Sequence, residues 1–324
     1  MKKDRRSVIV GILRRGLKAG LMTTWDLGKI IFPITLVMTL LRYTPVLEWI
    51  VTLIAPVMKW IGLSGDAAIP LVLGNFLNLY AGIGAILTLD LTVKEVFILA
   101  VMLSFSHNLL IESGVAARVG VKLWVILAVR LGLAVLSAFV INIVWQGGSE
   151  QAAYGFVSQT NEMVTGWGSI ILQGLEKASL GVLQLALIVI PLMIFIQLMK
   201  DLSWLSTFSR WMAPVTKGLG MKENTSTTLA AGLVFGLAYG AGVMIQAVKE
   251  DGVEKKDLYL AFIFLVACHA VIEDTLIFIP LGIPVIWLLL VRLVTAILLT
   301  IIVSVIWKRR ELNASERKEP SYEH

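Results

Sequence analysis

The chain contains two copies of one sequence pattern, arranged one after the other. Shifting residues 16–84 forward by 158 positions, or residues 103–145 forward by 162, brings identical residues into register. The first shift pairs Gly16 with Gly174, Pro33 with Pro191, Gly74 with Gly232 and Gly82 with Gly240, and the second pairs His107 with His269, Arg130 with Arg292 and Trp145 with Trp307. The two shifts differ by four residues, which fall in a polar stretch at 249–257. We therefore predict two structurally equivalent halves.

The composition restricts the fold to a membrane protein. Hydrophobic residues make up 57% of the 324 positions and charged residues only 15%, with long, mainly apolar runs at 123–145 and 181–199. A helix needs about 20 apolar residues to cross a bilayer. The alternating segments of about ten residues that are typical of membrane β-barrels are absent from the sequence. We therefore predict an all-α polytopic membrane protein, with the lipid bilayer as its surroundings.

Other bulk features exclude several classes of protein. The single cysteine, Cys268, allows no internal disulfide and no paired-cysteine metal site. The basic N-terminus is not followed by a short apolar core and a cleavage site, so we expect the first helix to remain in the mature chain. Much of the net charge of +6 lies at helix ends. This placement indicates membrane topology rather than binding to a nucleic-acid polymer.

The distribution of basic residues predicts the orientation of the chain. Lysine and arginine favour the cytoplasmic side of short membrane loops. They crowd residues 2–15 and 308–318, whereas residues 146–168 contain none. We therefore expect both termini in the cytoplasm, the connector on the outside, and the protein in the cell (inner) membrane. Each half then crosses the membrane an odd number of times, and the two halves have inverted topology.

Each half is predicted to contain five segments in the same order. The segments are a first span (27–44; 180–199), an amphipathic helix containing Pro56 or Pro214, a Gly-rich segment (67–89; 226–248), a third long helix (93–115; 257–278) and a final span (121–145; 284–307). The glycines indicate an interrupted helix or a re-entrant hairpin, and a spanning helix is the alternative. If the segment is re-entrant and the amphipathic helix does not cross, each half crosses the membrane three times.

Ionisable residues recur in the third helix of each half. Glu112 follows His107 by five positions, and Asp274 follows His269 by five, with Glu273 directly before it. A charged group inside a bilayer is costly, so these residues are expected to face a partner or a cavity. Because Glu273 follows His269 by four positions, the sequence predicts that the two share one helix face.

Each final span carries one arginine within an identical Val-Arg-Leu sequence. Arginine remains charged at any working pH, and its natural buried partner is a carboxylate of the preceding helix. We predict that Arg130 pairs with Glu112, and that Arg292 pairs with Asp274 or Glu273. These pairs are structural clamps between adjacent helices or parts of a coupling site.

The two repeated histidines allow three interpretations. Imidazole changes its charge near neutral pH, so His107 and His269 are candidates for proton coupling or solute contact. A core hydrogen bond is the second interpretation, and metal ligation is the third. The sequence contains no paired His-x-x-x-His motif, so we assign no metal, no cofactor and no catalytic residue.

The Gly-rich segments are the candidates for solute binding. Backbone groups freed at a helix break are tolerated in a membrane only against protein or a water-filled cavity, and free N–H groups at helix ends bind polar ligands. Close helix packing through small residues is the alternative. The solute-binding candidates are Asn75, Asn78, Tyr80, Gly82, Gly84, Tyr239, Gly240, Gly242 and Gln246, and the candidates for coupling or a polar core are His107, Asn108, Glu112, Arg130, His269, Glu273, Asp274 and Arg292.

These motifs resemble the nucleoside-recognition, or Gate-domain, family of membrane proteins. The resemblance rests on Ala55-Pro56 followed by Gly62, on its copy at residues 213–220, on the segments GNFLNLYAGIG and GLAYGAG, and on SHNLLIES and CHAVIEDT. Related modules occur in spore maturation proteins A and B, in ferrous-iron transporter B and in concentrative nucleoside transporters. The resemblance covers both halves and implies transport of a small polar solute, with nucleosides as one candidate class. It does not extend to a GTPase domain or to an Asn-Ala-Ala-Thr-Pro stretch, neither of which is present.

The sequence thus predicts a division into four parts. Residues 1–145 form the first membrane repeat, with a basic N-terminal helix, and residues 146–168 form an extracytoplasmic connector. Residues 169–307 form the inverted second membrane repeat, and residues 308–324 form a cytoplasmic tail. The leading hypothesis is a secondary transporter, not an enzyme, whose solute site lies between the repeats near the bilayer midplane and is coupled to protons or ions. An intramembrane metal-dependent enzyme and a scaffold or lipid-handling protein are the alternatives. A homo-oligomer is left open.

Overall fold

The computed structural model describes residues 5–41, 43–155, 166–202 and 204–316, and this part of the chain is almost entirely helical. The first half contains α1 (Arg5–Leu41), α2 (Pro45–Trp60), α3 (Ala68–Phe76), α4 (Leu79–Ile86), α5 (Val93–Ser106), α6 (Leu109–Arg118) and α7 (Leu123–Val144). The second half contains α8 (Trp167–Asp201), α9 (Trp204–Gly218), α10 (Ser226–Glu250), α11 (Lys255–Ala267), α12 (Glu273–Leu276) and α13 (Val285–Glu316). The protein is an all-α polytopic membrane protein.

The two halves share unusual backbone angles at equivalent positions. Three pairs of equivalent residues have positive φ, namely Gly62 and Gly220, Gly120 and Gly282, and Asn108 and Ala270. Aromatic contacts are repeated too, because Phe97 packs on Trp145 and its equivalent Tyr259 packs on Trp307, with ring centroids 5.4 and 5.7 Å apart. The repeat seen in the sequence is therefore a structural repeat.

The first helices of the two halves pack against each other in opposite directions. A Cβ atom added at Gly16 would lie 2.7 Å from Ile194 Cα, and one added at Gly174 would lie 2.8 Å from a methyl group of Leu36. The start of α1 thus contacts the end of α8, and the end of α1 contacts the start of α8. Since Gly174 is the repeat equivalent of Gly16, the two contacts are related by a pseudo-two-fold axis. This arrangement is an inverted-topology repeat.

The Gly-rich segment of the first half is a hairpin of two short helices, α3 and α4. The chain reverses at Leu77 and Asn78, and the glycines allow the two arms to touch. A Cβ atom at Gly82 would lie 3.0 Å from the carbonyl oxygen of Pro70 and 3.1 Å from Gly74 Cα.

The second Gly-rich segment, α10, is a hairpin as well. Its helix is interrupted at Gly236, the equivalent of Asn78, where φ is 74° and ψ is 179°. A Cβ atom at Gly240 would lie 3.1 Å from the carbonyl oxygen of Ala231, and the Asn224 side chain donates to the carbonyl oxygen of Asp251 at 2.8 Å. The two ends of the segment therefore meet, and both Gly-rich segments are re-entrant.

The hairpins enter the bundle from opposite sides. The contact between Phe97 and Trp145 places the start of α5 beside the end of α7. The backbone N–H of Lys122 donates to the Tyr259 hydroxyl at 3.0 Å, which places the start of α7 beside the start of α11. Because α5 and α11 directly follow the hairpins, the two hairpin openings face opposite sides of the bundle.

Within the described residues, five helical stretches are long and apolar enough to cross a membrane, namely Val10–Leu41, Val93–Arg118, Leu123–Val144, Trp167–Met199 and Val285–Glu311. The segment from α11 to the 3-10 turn Ile279–Leu281 corresponds in the repeat to Val93–Arg118, and we infer from this equivalence that it crosses the membrane as well. The end of α2 and the start of α3 meet at 88°. This sharp bend is what a surface helix followed by a re-entrant arm requires.

The connector touches both halves on one side of the bundle. The backbone N–H of Ala152 donates to Leu91, and that of Val93 donates to Glu150. A Cβ atom at Gly282 would lie 2.2 Å from the carbonyl oxygen of Ala153. Residues 156–165 of the connector lie outside the described residues, as do residues 317–324 of the tail, whose first part continues α13 as far as Glu316.

Two predictions of helix extent were wrong. The first spans are longer than 27–44 and 180–199, because basic and polar residues at their starts remain helical as α1 and α8 pack on each other. The third helices, predicted as continuous over 93–115 and 257–278, are interrupted at the histidines. Hydrophobic periodicity does not reveal a break whose freed carbonyl groups are satisfied by a side chain from another helix.

A substitution of Gly16 tests the packing between α1 and α8. Gly16→Ala would place a methyl group against the Ile194 backbone, and overpacking of this kind costs about 1–3 kcal/mol. We expect a lower Tm for the detergent-purified protein. Gly132→Ala is the control, because no heavy atom lies within 4 Å of its added Cβ, and alanine favours a helix. An unchanged Tm for Gly16→Ala would contradict the described contact.

Candidate functional site

The helix breaks at the two histidines are built in the same way. Residues 107–108 separate α5 from α6, and residues 268–272 separate α11 from α12. Within them, Asn108 has φ of 53° and Ala270 has φ of 41°. Left-handed backbone at a residue other than glycine is strained and is concentrated at functional sites. Such strain at two equivalent positions marks the breaks as the candidate site.

Each hairpin holds one of these breaks in place. The backbone N–H of Asn108 donates to the carbonyl oxygen of Gly74 at 2.9 Å, and that of Ala270 donates to Gly232 at 3.1 Å. The glycines permit this approach, because a Cβ atom at Gly74 would lie only 2.4 Å from the Leu103 side chain. Hairpin and interrupted helix therefore form one unit in each half.

Arg130 satisfies the groups that the first break leaves free. Its guanidinium is fully buried and donates to the carbonyl oxygen of Phe105 at 2.9 Å and to that of His107. The same guanidinium donates to Glu112 Oε2 at 2.8 Å. Buried carbonyl groups need partners, so Arg130 allows the helix to be interrupted inside the membrane.

Arg292 has the same position in the second half but fewer contacts. It donates to the carbonyl oxygen of His269 at 2.6 Å and to Asp274 Oδ2 at 3.1 Å. Its Nε and Nη1 atoms are buried and have no hydrogen-bond partner among the described residues. The predicted pairs Arg130–Glu112 and Arg292–Asp274 are thus present, and the two halves differ in how completely the arginine is satisfied.

The imidazole rings of the two histidines face each other across the seam between the repeats. Their centroids are 5.3 Å apart. The Nδ1 atoms lie 2.7 Å from the carbonyl oxygen of Leu103 and 2.8 Å from that of Leu265. Because a carbonyl oxygen only accepts, each Nδ1 carries the hydrogen. In the neutral ring, Nε2 therefore presents a lone pair to the centre of the site.

Two carboxylates face these Nε2 atoms. Glu112 places one oxygen 3.3 Å from His107 Nε2 and the other 3.2 Å from His269 Nε2. Asp274 Oδ2 lies 3.5 Å from His269 Nε2 and 4.0 Å from His107 Nε2. A lone pair and a carboxylate repel each other unless a proton or a cation lies between them. The geometry is therefore that of a site for a positively charged species.

One hydrogen bond across the seam has no counterpart in the repeat. The Tyr80 hydroxyl of α4 donates to Glu273 Oε1 at 2.5 Å. The repeat equivalents of these two residues are Ala238 and Ile111, which cannot form this bond. The pair therefore makes the site chemically asymmetric, although both halves have the same order of hairpin and interrupted helix.

The same residues surround a cavity of about 240 Å³. Its wall consists of the two hairpin tips, at residues 79–80 and 235–238, of the breaks, at residues 107–108 and 269–270, and of the helix starts that follow them, at residues 111–112 and 273–274. Among the candidates for coupling or a polar core, His107, Asn108, Glu112, His269, Glu273 and Asp274 line the cavity, and the two arginines lie behind them.

Most of the solute-binding candidates do not line this cavity. Tyr80 does. Asn75 donates within α3 to the carbonyl oxygen of Leu71 at 2.7 Å, and Asn78 caps α4 by accepting from Ala81. Gln246 is exposed and donates to Glu250. Asn75 and Asn78 thus bond to the backbone of their own hairpin, and Gln246 bonds to a neighbour on α10, so none of the three side chains lines the cavity.

The glycine candidates mainly serve packing. A Cβ atom at Gly84 would lie 3.2 Å from Thr35 Oγ1, and Gly82 and Gly240 lie between the hairpin arms, whereas Gly242 faces open space. The side chain of Tyr239 lies outside the described residues. The sequence did not identify Gly236 as a lining residue, although a glycine at the midpoint of a Gly-rich segment is a signal for a tip.

The prediction that His269 and Glu273 share a helix face was wrong. Helix α11 ends at Ala267 and α12 begins only at Glu273. The freed backbone is tethered to the hairpin, as shown by the bond from the Val271 N–H to the carbonyl oxygen of Leu233 at 2.8 Å. Both side chains nevertheless reach the same cavity, because the break folds the chain around it.

One group of residues has the geometry of a metal-binding set. The ligand atoms of His107, Glu112 and His269 all lie within 4.8 Å of one another, and all three residues are buried. Two imidazoles and a carboxylate suit first-row transition metals.

Two inverted repeats, each with a re-entrant hairpin and an interrupted helix, surround one shared cavity lined by ionisable side chains. Inverted repeats with discontinuous helices recur among membrane transport proteins. The family described as Gate, nucleoside recognition, matches residues 24–110 and 182–284. The chain belongs to this family.

A relative from Bacillus subtilis (strain 168), called uncharacterized membrane protein YvoD, is 64% identical over 298 residues. The matched region covers 92% of this chain and 96% of the relative. No solved structure matches the chain significantly.

Removing one partner of the Arg130–Glu112 pair tests the structural role of the guanidinium. Arg130→Ala removes the guanidinium from a buried carboxylate and from two carbonyl groups, and breaking a buried ion pair costs about 3–5 kcal/mol. We expect a large fall in Tm, and a smaller fall for the double variant with Glu112→Ala than for the sum of the single variants. Lys222→Ala removes an exposed pair with Glu254 and is the control with unchanged Tm. Additive effects at Arg130 and Glu112 would contradict the pairing.

Proposed function

We propose that the protein is a secondary transporter of a small polar solute, which binds in the cavity between the two hairpin tips and the two helix breaks. The observation that carries this proposal is that all the residues lining the cavity lie at a helix interruption or within the first turn next to one. Non-helical backbone at membrane depth is tolerated where it lines a water-filled or ligand-filled space. A protein that only needed packing would gain stability from continuous helices.

The inverted repeat supplies a route for alternating access. The hairpins open towards opposite sides of the bundle, so a small movement of one half against the other exposes the cavity first to one side and then to the other. The Tyr80–Glu273 hydrogen bond crosses the seam between the halves. It would have to break or exchange partners when the halves move, and a solute hydroxyl could replace either member.

The size and polarity of the cavity favour a small solute with hydrogen-bonding groups. A volume of about 240 Å³ is slightly below the range of roughly 300–1,000 Å³ for drug-sized ligands. Asn108 Oδ1 is buried without a hydrogen-bond partner among the described residues, and Phe235 offers an aromatic surface. Nucleosides, which the family description names, combine hydroxyl donors with a flat ring and are the first class to examine.

The facing histidines and carboxylates support coupling to a proton or another cation. When no cation is present, Nε2 lone pairs and carboxylate oxygens repel each other at 3.2–3.3 Å. Uptake of one positive charge removes this repulsion and changes the preferred arrangement at the seam. We favour transport over catalysis because the matched family consists of membrane modules of this kind.

The orientation is proposed from the charge distribution. The protein lies in the cell (inner) membrane with both termini on the cytoplasmic side, and the connector, residues 146–168, lies on the outer side. The first repeat then comprises residues 1–145, the inverted repeat residues 169–307, and the cytoplasmic tail residues 308–324. The absence of lysine and arginine from the connector carries this assignment.

Cysteine labelling of intact cells tests this orientation. Gln151→Cys is expected to react with a membrane-impermeant maleimide added outside, and Arg310→Cys only after permeabilisation, because the two lie on opposite sides. The native Cys268 is fully buried and gives little background. Equal reactivity of both positions in intact cells would contradict the inverted arrangement.

Uptake into proteoliposomes tests the proposed function. A panel of nucleosides and other small polar solutes is supplied with and without a pH gradient, and we expect accumulation of at least one class. Tyr80→Phe should lower this uptake by roughly tenfold, since a hydrogen bond to a charged group contributes about 1.5–3 kcal/mol.

Tyr43→Phe is the matched control for this assay. It removes a hydroxyl bonded to Gln173, remote from the cavity, and should leave uptake unchanged. If correctly folded protein moves no solute of the panel, or if both tyrosine variants transport normally, the proposed site is wrong.

A further inference from the structure

We propose that Nε2 of His107, Nε2 of His269 and the carboxylate of Glu112 bind a divalent first-row transition-metal ion in the cavity. The inference deepens the proposed function by naming a cation for the same site. It rests on the geometry of these side chains and is tested separately from transport.

The hydrogen positions on the rings provide the first argument. Both Nδ1–H groups are committed to backbone carbonyl groups, those of Leu103 and Leu265. This arrangement is the one that metal-ligating histidines use, because it fixes the ring orientation and directs the Nε2 lone pair towards the ion. His269 Nε2 is buried and makes no hydrogen bond among the described residues, although Glu112 Oε2 is 3.2 Å away. Its lone pair is therefore available to coordinate an ion.

The distances provide the second argument. Metal–ligand bonds of about 2.0–2.2 Å place neighbouring tetrahedral ligands about 3.3–3.5 Å apart. Glu112 bridges the two histidines at 3.3 Å and 3.2 Å. These contacts use different oxygens of Glu112, and one ligand atom from each of the three residues lies within 4.8 Å of the others, so the side chains would move together by about 1 Å to receive an ion. Asp274 Oδ2, 3.5 Å from His269 Nε2, is close enough to become a fourth ligand.

The charges around the cavity also favour a cation. Three carboxylates face two guanidinium groups, so the cluster carries one excess negative charge when the histidines are neutral. A divalent ion reverses this to one excess positive charge, which an anionic solute or a hydroxide in the open part of the cavity can balance. The charged and titratable groups packed around the site are Tyr80, His107, Glu112, Arg130, His269, Glu273, Asp274 and Arg292.

The donor set selects the class of metal. Imidazole nitrogen suits zinc, iron, cobalt and nickel, whereas magnesium and calcium prefer oxygen ligands alone. Arg130 holds Glu112 from behind at 2.8 Å and fixes the direction of its carboxylate. No short sequence motif indicates this set, because the two histidines belong to different repeats and meet only through the inverted arrangement.

The experiment uses the full-length protein in detergent, purified without a histidine tag and stripped with a chelator. Zn²⁺, Co²⁺ and Mg²⁺ are titrated in separate calorimetry experiments. We expect one Zn²⁺ or Co²⁺ per chain and no Mg²⁺ binding at equal concentration. His107→Ala combined with His269→Ala should weaken Zn²⁺ binding by about 100-fold or more, since the loss of even an outer-shell partner costs 10–100-fold. His324→Ala, which removes the third histidine of the chain, is the control and should bind normally.

If the variants do not fold, X-ray absorption spectroscopy of the wild-type Zn²⁺ complex identifies the ligands of the bound ion instead. Two imidazole nitrogens at about 2.0–2.1 Å are expected. Failure of the wild type to bind Zn²⁺ or Co²⁺, a bound ion without imidazole ligands, or unchanged affinity in a folded double variant would overturn the inference. Solute uptake without metal binding would support the proposed function and contradict the metal site. Metal binding without any solute uptake would support the metal site and contradict the proposed function.

Discussion

The structure depends on two buried arginines that allow helices to stop in the middle of a membrane. A break in a membrane helix leaves carbonyl groups without partners, and each unsatisfied group costs several kcal/mol in a medium without water. In the first half, Arg130 satisfies these groups by donating hydrogen bonds to the carbonyl oxygens of Phe105 and His107, and it also donates to Glu112. Arg292 does the same less completely in the second half. With the breaks stabilised, histidine side chains and strained backbone can face a cavity instead of lipid.

The hairpins also stabilise the helix breaks, through backbone hydrogen bonds. In each half, a glycine carbonyl in the first arm of the hairpin accepts the N–H group at the left-handed residue of the break, Gly74 for Asn108 and Gly232 for Ala270. A larger residue would force the neighbouring leucine to move, because a Cβ atom at Gly74 or Gly232 would lie 2.4 or 2.5 Å from a methyl group of that leucine. The two interruptions in one half are thus mutually dependent, and neither is expected to persist without the other.

Symmetry brings the two half-sites together, and departures from symmetry give the site its chemistry. The antiparallel packing of α1 and α8 fixes the pseudo-two-fold relation, which brings His107 and His269 within ring contact. Tyr80 and Glu273 have apolar equivalents, and the two arginines differ in their number of partners. A perfectly symmetric site would present the same groups to both sides of the membrane, whereas this one distinguishes them.

The sequence by itself determined the membrane class, the repeat, its inversion and the pairing of Arg130 with Glu112, because hydrophobicity, loop charge and the cost of buried charge are properties that can be read along the chain. It also identified most of the polar residues that line the cavity. The tertiary structure alone decided that the third helices are broken, that Asn75, Asn78 and Gln246 lie away from the cavity, and that Glu112 contacts both histidines. These features depend on contacts between residues far apart in the chain, such as the bond from Tyr80 to Glu273, 193 positions away. Patterns within a short stretch of sequence do not indicate which distant residues come into contact.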